Sequence, residues 1–205
     1  RELPAVCRGH GFHLLDSGPV LVGEVALVGS VGWYDYTFKD QTLNIPLRFY
    51  EAKLAPGAAA RRETYTHLVD GHGDLTPEML EISTYWMDGV RVRLPVSDIE
   101  FTERLVARLR THLEEVKDSA RTIVAVLHHL PFAELVKRNL GVGNWQFANA
   151  FMGSERFGEL LLESPKVRHA FCGHSHSPSR VTHGALTCTN IGCTYVHKRF
   201  EEWQV

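Results

Sequence analysis

The sequence has no apolar run of about eighteen residues, the length needed to cross a bilayer, and no leader-like apolar stretch. Nothing in it reads as a membrane span. It has no excess of one charge either: 22 basic residues stand against 24 acidic ones, for a net charge of -2. That balance argues against bulk electrostatic binding to nucleic acid or to an anionic membrane. Cysteine is sparse, with Cys7, Cys172, Cys188 and Cys193 scattered along 205 residues. A disulfide scaffold is excluded, a reduced, cytoplasmic protein is the default reading, and there is no C-x2-C zinc knuckle. Gly141-Val142-Gly143-Asn144 is glycine-rich but lacks the strand-before, helix-after setting of a nucleotide loop, and reads as a turn. An apolar share of 44% over this length is enough for one domain with a substantial core.

Histidine, by contrast, is plentiful and clustered. In Phe171-Cys172-Gly173-His174-Ser175-His176 two imidazoles stand two residues apart just after a glycine, at the end of the strand-like run Val167–Cys172. Side chains at i and i+2 of extended chain point the same way, so His174 and His176 are expected to converge. Neutral imidazole is a ready ligand for manganese, iron, zinc or nickel. A second β-prone run, Thr122–Leu127, closes on His128-His129-Leu130-Pro131. Polar groups at such strand ends sit where α/β sheets hold ligands. Adjacent residues of extended chain face opposite ways, so only one histidine of this pair can point into a given site.

The remaining pattern supplies a scaffold. Val20–Val22 and Val25–Val28, joined by Gly23-Glu24, read as a tight hairpin, and Gly29–Gly32 leads into Trp33-Tyr34-Asp35-Tyr36. Trp33 and Tyr34 are either packing residues or a substrate wall. From about 39 to 75 the pattern weakens, and the segment reads as a lid insertion in which His67, Asp70, His72 and Asp74 form a loose group of potential ligands. Thr76-Pro77-Glu78 starts a short helix. Ser97-Asp98-Ile99-Glu100 is a capping box opening the longest helix, which runs to about Lys117 and packs on the sheet. Phe132–Leu140 and Ser154–Glu163 read as short helices, and Arg180–Thr182 with Ala185–Asn190, joined by His183-Gly184, as a second hairpin.

Three of these stretches in order, Gly32-Trp33-Tyr34-Asp35-Tyr36, His128-His129-Leu130-Pro131 and Gly173-His174-Ser175-His176, resemble the calcineurin-like metallophosphoesterases. The resemblance covers most of the chain and implies a four-layer α/β/β/α sandwich hydrolysing a phosphate mono- or diester with a two-metal centre. It implies His128, His174 and His176 as metal ligands, His176 serving one metal and His174 the other, and His129, Trp33 and Tyr34 at the substrate. The metals would be two divalent or trivalent transition ions. The family's Asp-x-His, Gly-Asp-x-x-Asp and Gly-Asn-His elements, which carry the bridging carboxylate and the general acid, are not in this sequence; Arg8-Gly9-His10 and Gly73-Asp74 only approximate them. Residues 1–205 are therefore expected to be one metallophosphoesterase domain, incomplete at its N-terminal side, with the rest supplied by a missing segment or a companion chain. The strands here would then leave unpaired edges. Two alternatives stand beside this: an inactive phosphoesterase-like subunit, and a non-catalytic module binding zinc through a set drawn from Cys172, His174, His176, Cys188 and Cys193.

Overall fold

A computed structural model describes residues 2–138 and 141–203. Its helices are α1 (Glu2–Gly9), α2 (Leu47–Glu51), α3 (Pro56–Ala60), α4 (Pro77–Leu80), α5 (Asp88–Arg91), α6 (Asp98–Val116), α7 (Gly143–Ala148) and α8 (Glu155–Glu163). The strands are β1 (Val20–Val22), β2 (Val25–Ser30), β3 (Thr122–Leu127), β4 (Val167–Cys172), β5 (Ser179–His183) and β6 (Leu186–Asn190). They form a six-stranded mixed sheet in the order β1-β2-β3-β4-β6-β5. β2, β3, β4 and β6 run parallel, and β1 and β5 close the two sides as antiparallel hairpin partners. The expected unpaired edges are thus capped by the chain's own hairpins. At one side β1 pairs over only three residues, which keeps that edge short.

Alternation along the strands divides the sheet into two unequal faces. Ala26, Val28, Ile123, Ala125, Ala170, Leu186 and Cys188 are buried on one face, where α6 lies over β2 and beside α8. Ser97 starts α6 as the spacing predicts, its side chain accepting the Glu100 N–H at 3.1 Å. The reciprocal half of the box is absent, because the Glu100 carboxylate turns to Arg104 instead. The opposite face is covered mainly at its margins. Leu15 sits against Gly29, where a Cβ would fall 2.9 Å from its side chain, and Trp203 lies 4.2 Å from the His169 ring. Between them Val126 keeps 40% of its surface in water. Among the described residues there is one sheet flanked by helices, and no second sheet.

Between β2 and α6 the chain builds a packed layer where a lid was expected. Phe49, Tyr50 and Leu54 are inaccessible, and Tyr50 stacks on Phe147 at 4.7 Å. The His67–Asp74 group is no metal cluster: Asp74 accepts both Arg48 guanidinium nitrogens at 2.7 and 2.5 Å, and His72 bonds the His67 carbonyl. Local readings also shift. Gly143-Asn144, expected in a turn, begins α7, and Asn144 Oδ1 ties it to the preceding layer by accepting from Ser83 N and Thr84 Oγ1, both at 2.9 Å. The helix expected over Phe132–Leu140 is a single 3-10 turn at Ala133–Leu135, and residues 139–140 lie outside the described residues. The second hairpin turns at Gly184-Ala185, one residue later than its sequence suggests, with His183 paired to Leu186.

Candidate functional site

Two neighbouring parallel strands, β3 and β4, end side by side, and their carboxyl ends deliver the histidines. Main-chain bonds continue past each strand: His128 N donates to Ser30 O at 3.3 Å, and Gly173 N to His128 O at 3.0 Å. These bonds fix the loops relative to each other before any side chain contributes. Gly32, at φ 64°, passes so close that a Cβ there would lie 3.1 Å from His129 Cβ. After Gly173 the chain leaves extended geometry, with His174 at φ 66° and His176 at φ 53°. The expectation that both rings converge because the chain is extended is therefore corrected: a turn places them. Asn190, at the end of β6, holds that turn by donating to Ser175 Oγ at 2.6 Å and to Ser177 O at 2.7 Å.

His128 and His174 meet. His128 Nε2 lies 3.2 Å from His174 Nδ1, and His174 Nε2 lies 3.2 Å from the Phe151 carbonyl oxygen. A carbonyl only accepts, so the proton of His174 belongs on Nε2 and its Nδ1 lone pair faces His128. Two imidazole nitrogens bound to one tetrahedral ion at about 2.0–2.1 Å would stand about 3.4 Å apart, close to the spacing found. Burial, and next the neighbouring His128, push the His174 pKa down to about 4. Burial and His176 lower His128 too, while Asp88 acts in the opposite sense. Both rings are held neutral, the form that binds metal.

His176 stands in the same cleft, with its ring edge-on to Tyr195 at 5.1 Å. Among the described residues no group of three or more His, Cys, Asp or Glu side chains is drawn close enough to hold a metal ion. So two of the three predicted ligands are together and the third stands beside them.

The residues expected at the substrate lie behind the site. His129 is 3% exposed, bonded through Nδ1 to Val31 O at 3.1 Å, with its ring 4.3 Å from His174 and 5.3 Å from Trp33. Its Nε2 is buried without a partner, and burial holds its pKa well below the usual histidine range. Trp33 and Tyr34 are 8% and 0% exposed and stack on each other at 4.7 Å. In the structure these three pack behind His174, and none of them lines the cleft. The zinc alternative is not assembled either, since Cys172 and Cys188 are buried in the sheet and Cys172 Sγ turns to the Thr189 carbonyl.

Two carboxylates near the histidines have no sequence signal. Asp88 accepts Tyr34 Oη at 3.1 Å and Trp86 Nε1 at 2.9 Å, and its charge reaches His128 and His174. Asp16 lines the cleft and accepts the Val31 N–H at 3.0 Å. Neither follows a strand or a motif, so only the fold could find them. The cleft itself measures about 710 Å³, with Leu14, Leu15 and Val126 among its apolar walls. A second cavity, about 330 Å³, lies beyond Asp88 against Asp98. Asp98 is saturated there, accepting Trp33 Nε1 at 2.7 Å, Lys53 Nζ at 2.5 Å and the Tyr36 hydroxyl.

No family model matches the chain, and no curated protein matches it. The structure does superpose on the crystal structure of phosphopantetheinyl hydrolase (PptH) from Mycobacterium tuberculosis, with a TM-score of 0.60 and 14% identity. The match covers 93% of this chain and 58% of that one, so the chain spans little more than half the length of the solved protein. At that identity the likeness is one of fold, and the chain carries an α/β fold shared with a solved hydrolase.

Proposed function

We propose that this chain contributes the imidazole side of a metal-dependent phosphoesterase centre of the calcineurin-like kind, hydrolysing a phosphate mono- or diester. The observation that carries the reading is the His128 Nε2 to His174 Nδ1 spacing of 3.2 Å, with the Phe151 carbonyl fixing the proton on the far nitrogen. A ligand imidazole that donates its other N–H to a carbonyl is the usual outer-shell arrangement. His128 and His174 would hold one transition-metal ion between them, with His176 as ligand to a second after a small rotation away from Tyr195. Such ions supply Lewis acidity that offsets charge on the phosphoryl oxygens, and they lower the pKa of the attacking water. Manganese, iron, zinc and nickel all suit this donor set.

The protein's own part is to orient the two lone pairs, to keep both rings neutral and to present an apolar cleft for the ester. Asp16 and Asp88 are engaged by N–H and O–H donors, and the bridging carboxylate of a two-metal centre would come from a further segment or a companion chain. The solved neighbour's name, that of a hydrolase, supports the reaction class. The test is metal content by mass spectrometry and turnover of bis(p-nitrophenyl) phosphate with manganese, for the parent protein, His128→Ala and His174→Ala. Bound metal that falls at least tenfold in both variants is expected. A parent that binds no metal, or variants that keep it, would end the reading.

A further inference from the structure

The far end of the cleft is built from the segment that follows β6. Thr194 N donates to His197 O, and His197 N to Thr194 Oγ1, both at 2.9 Å, while Arg199 N lies 3.0 Å from Cys193 Sγ. This small knot sets Tyr195, Lys198 and Arg199 on the rim of the cavity that holds His128, His174 and His176. Lys198 donates only to the Thr194 carbonyl, at 3.2 Å. The nearby Glu201 pairs with Arg180 at 3.3 Å, and Asp16, the one carboxylate in the cleft lining, accepts Val31 N on the opposite wall. Among the described residues neither Lys198 nor Arg199 has a carboxylate partner within ion-pair distance. Two adjacent cations thus face a pocket of about 710 Å³, and the 87% exposed Tyr195 that lines it with them meets the His176 ring at 5.1 Å. A pocket of that size belongs to an organic ligand well beyond a bare phosphate.

We propose that Lys198 and Arg199 bind a second phosphate of the substrate, remote from the one held at the histidines. Tyr195 then packs against the body that joins the two groups, and the substrates are phosphoesters that carry a further phosphate. The assignment rests on the phosphoesterase reading above, since it takes the histidine end as the place of the reacting ester. A dianionic phosphate matches a guanidinium and an ammonium side by side, the guanidinium offering a fork of donors and the ammonium a point charge.

The experiment compares hexyl phosphate with hexane-1,6-diyl bisphosphate, which share a body and differ by one phosphate. Binding is read by calorimetry with manganese present, so that the histidine end can hold a phosphate, and turnover is measured separately. The parent protein is expected to bind the bisphosphate at least tenfold more tightly. Lys198→Ala/Arg199→Ala should abolish that preference while changing hexyl phosphate affinity less than twofold, and Lys198→Arg/Arg199→Lys should retain it. Unchanged melting of both variants confirms that they fold. A parent without the preference, or an alanine variant that keeps it, overturns the assignment. Preference without metal or turnover would leave this subsite standing and remove the hydrolytic reading; turnover without preference would do the reverse.

Discussion

Replacing His129 by leucine separates the packing histidine from the binding one. The ring is 3% exposed, and it has one satisfied nitrogen, Nδ1 on Val31 O at 3.1 Å, and one orphan, the buried Nε2. Leucine removes one of the two hydrogen bonds that Val31 O accepts and leaves the backbone N–H of residue 129 at 3.4 Å, a loss of about 1 kcal/mol. It also removes the orphan nitrogen, whose burial costs a similar amount. The two nearly offset, so unfolding free energy should change by about 1 kcal/mol or less. For a domain of this size that is a melting shift of about 4 °C or less. Leucine is close enough in volume to keep Trp33 and His174 apart, so bound metal should not change. Urea denaturation and metal analysis on the same preparation give both numbers. If His129→Leu empties a metal position, the orphan nitrogen was a ligand, and the assignment of His128 to the site is wrong by one residue. If instead it costs more than about 3 kcal/mol with metal intact, the offset argument fails.

Two further outcomes test the scaffold. Asp98→Ala strands the Lys53 ammonium, whose side chain is 13% exposed, together with the Trp33 and Tyr36 donors, and should cost about 3–5 kcal/mol in urea denaturation, whereas Lys53→Met/Asp98→Leu should recover only the share owed to the ammonium, since the two donors stay unpaired; a loss under about 1 kcal/mol for Asp98→Ala would refute the network. Burial, then His128, lowers the His174 pKa from the ordinary 6.5 to about 4, so above pH 6.5 neither folded nor unfolded chain is protonated there, and between 6.5 and 4 only the unfolded chain takes the proton. The metal-free protein should therefore melt at progressively lower temperature as pH falls through that window, less steeply in His174→Gln. Stability that rises on acidification would contradict it.

Much of the sheet was legible because its signals are local. The apolar runs at Thr122–Leu127 and Val167–Cys172, the Gly23 turn and the Ser97 cap each specify one element with no help from the rest of the chain. What reads poorly is held by distant partners. Residues 39–75 carry no period because their order comes from ring packing such as Tyr50 on Phe147, nearly a hundred residues away in sequence. The histidines were found by type and position, yet their geometry was not, since the left-handed turn at His174 and His176 depends on Asn190 reaching back from β6. The Phe151 carbonyl that sets the His174 proton is backbone and leaves no mark in a sequence.

That reach of Asn190 has a consequence for biosynthesis. The turn bearing His174 and His176 lies between β4 and β5, but the strand that pins it is β6, docked in parallel beside β4. A nascent chain whose synthesis has passed His176 holds every candidate imidazole and still lacks the clasp that aims them. On the metal-centre reading proposed above, an ion would find aimed histidines only once β6 has cleared the ribosome exit and paired.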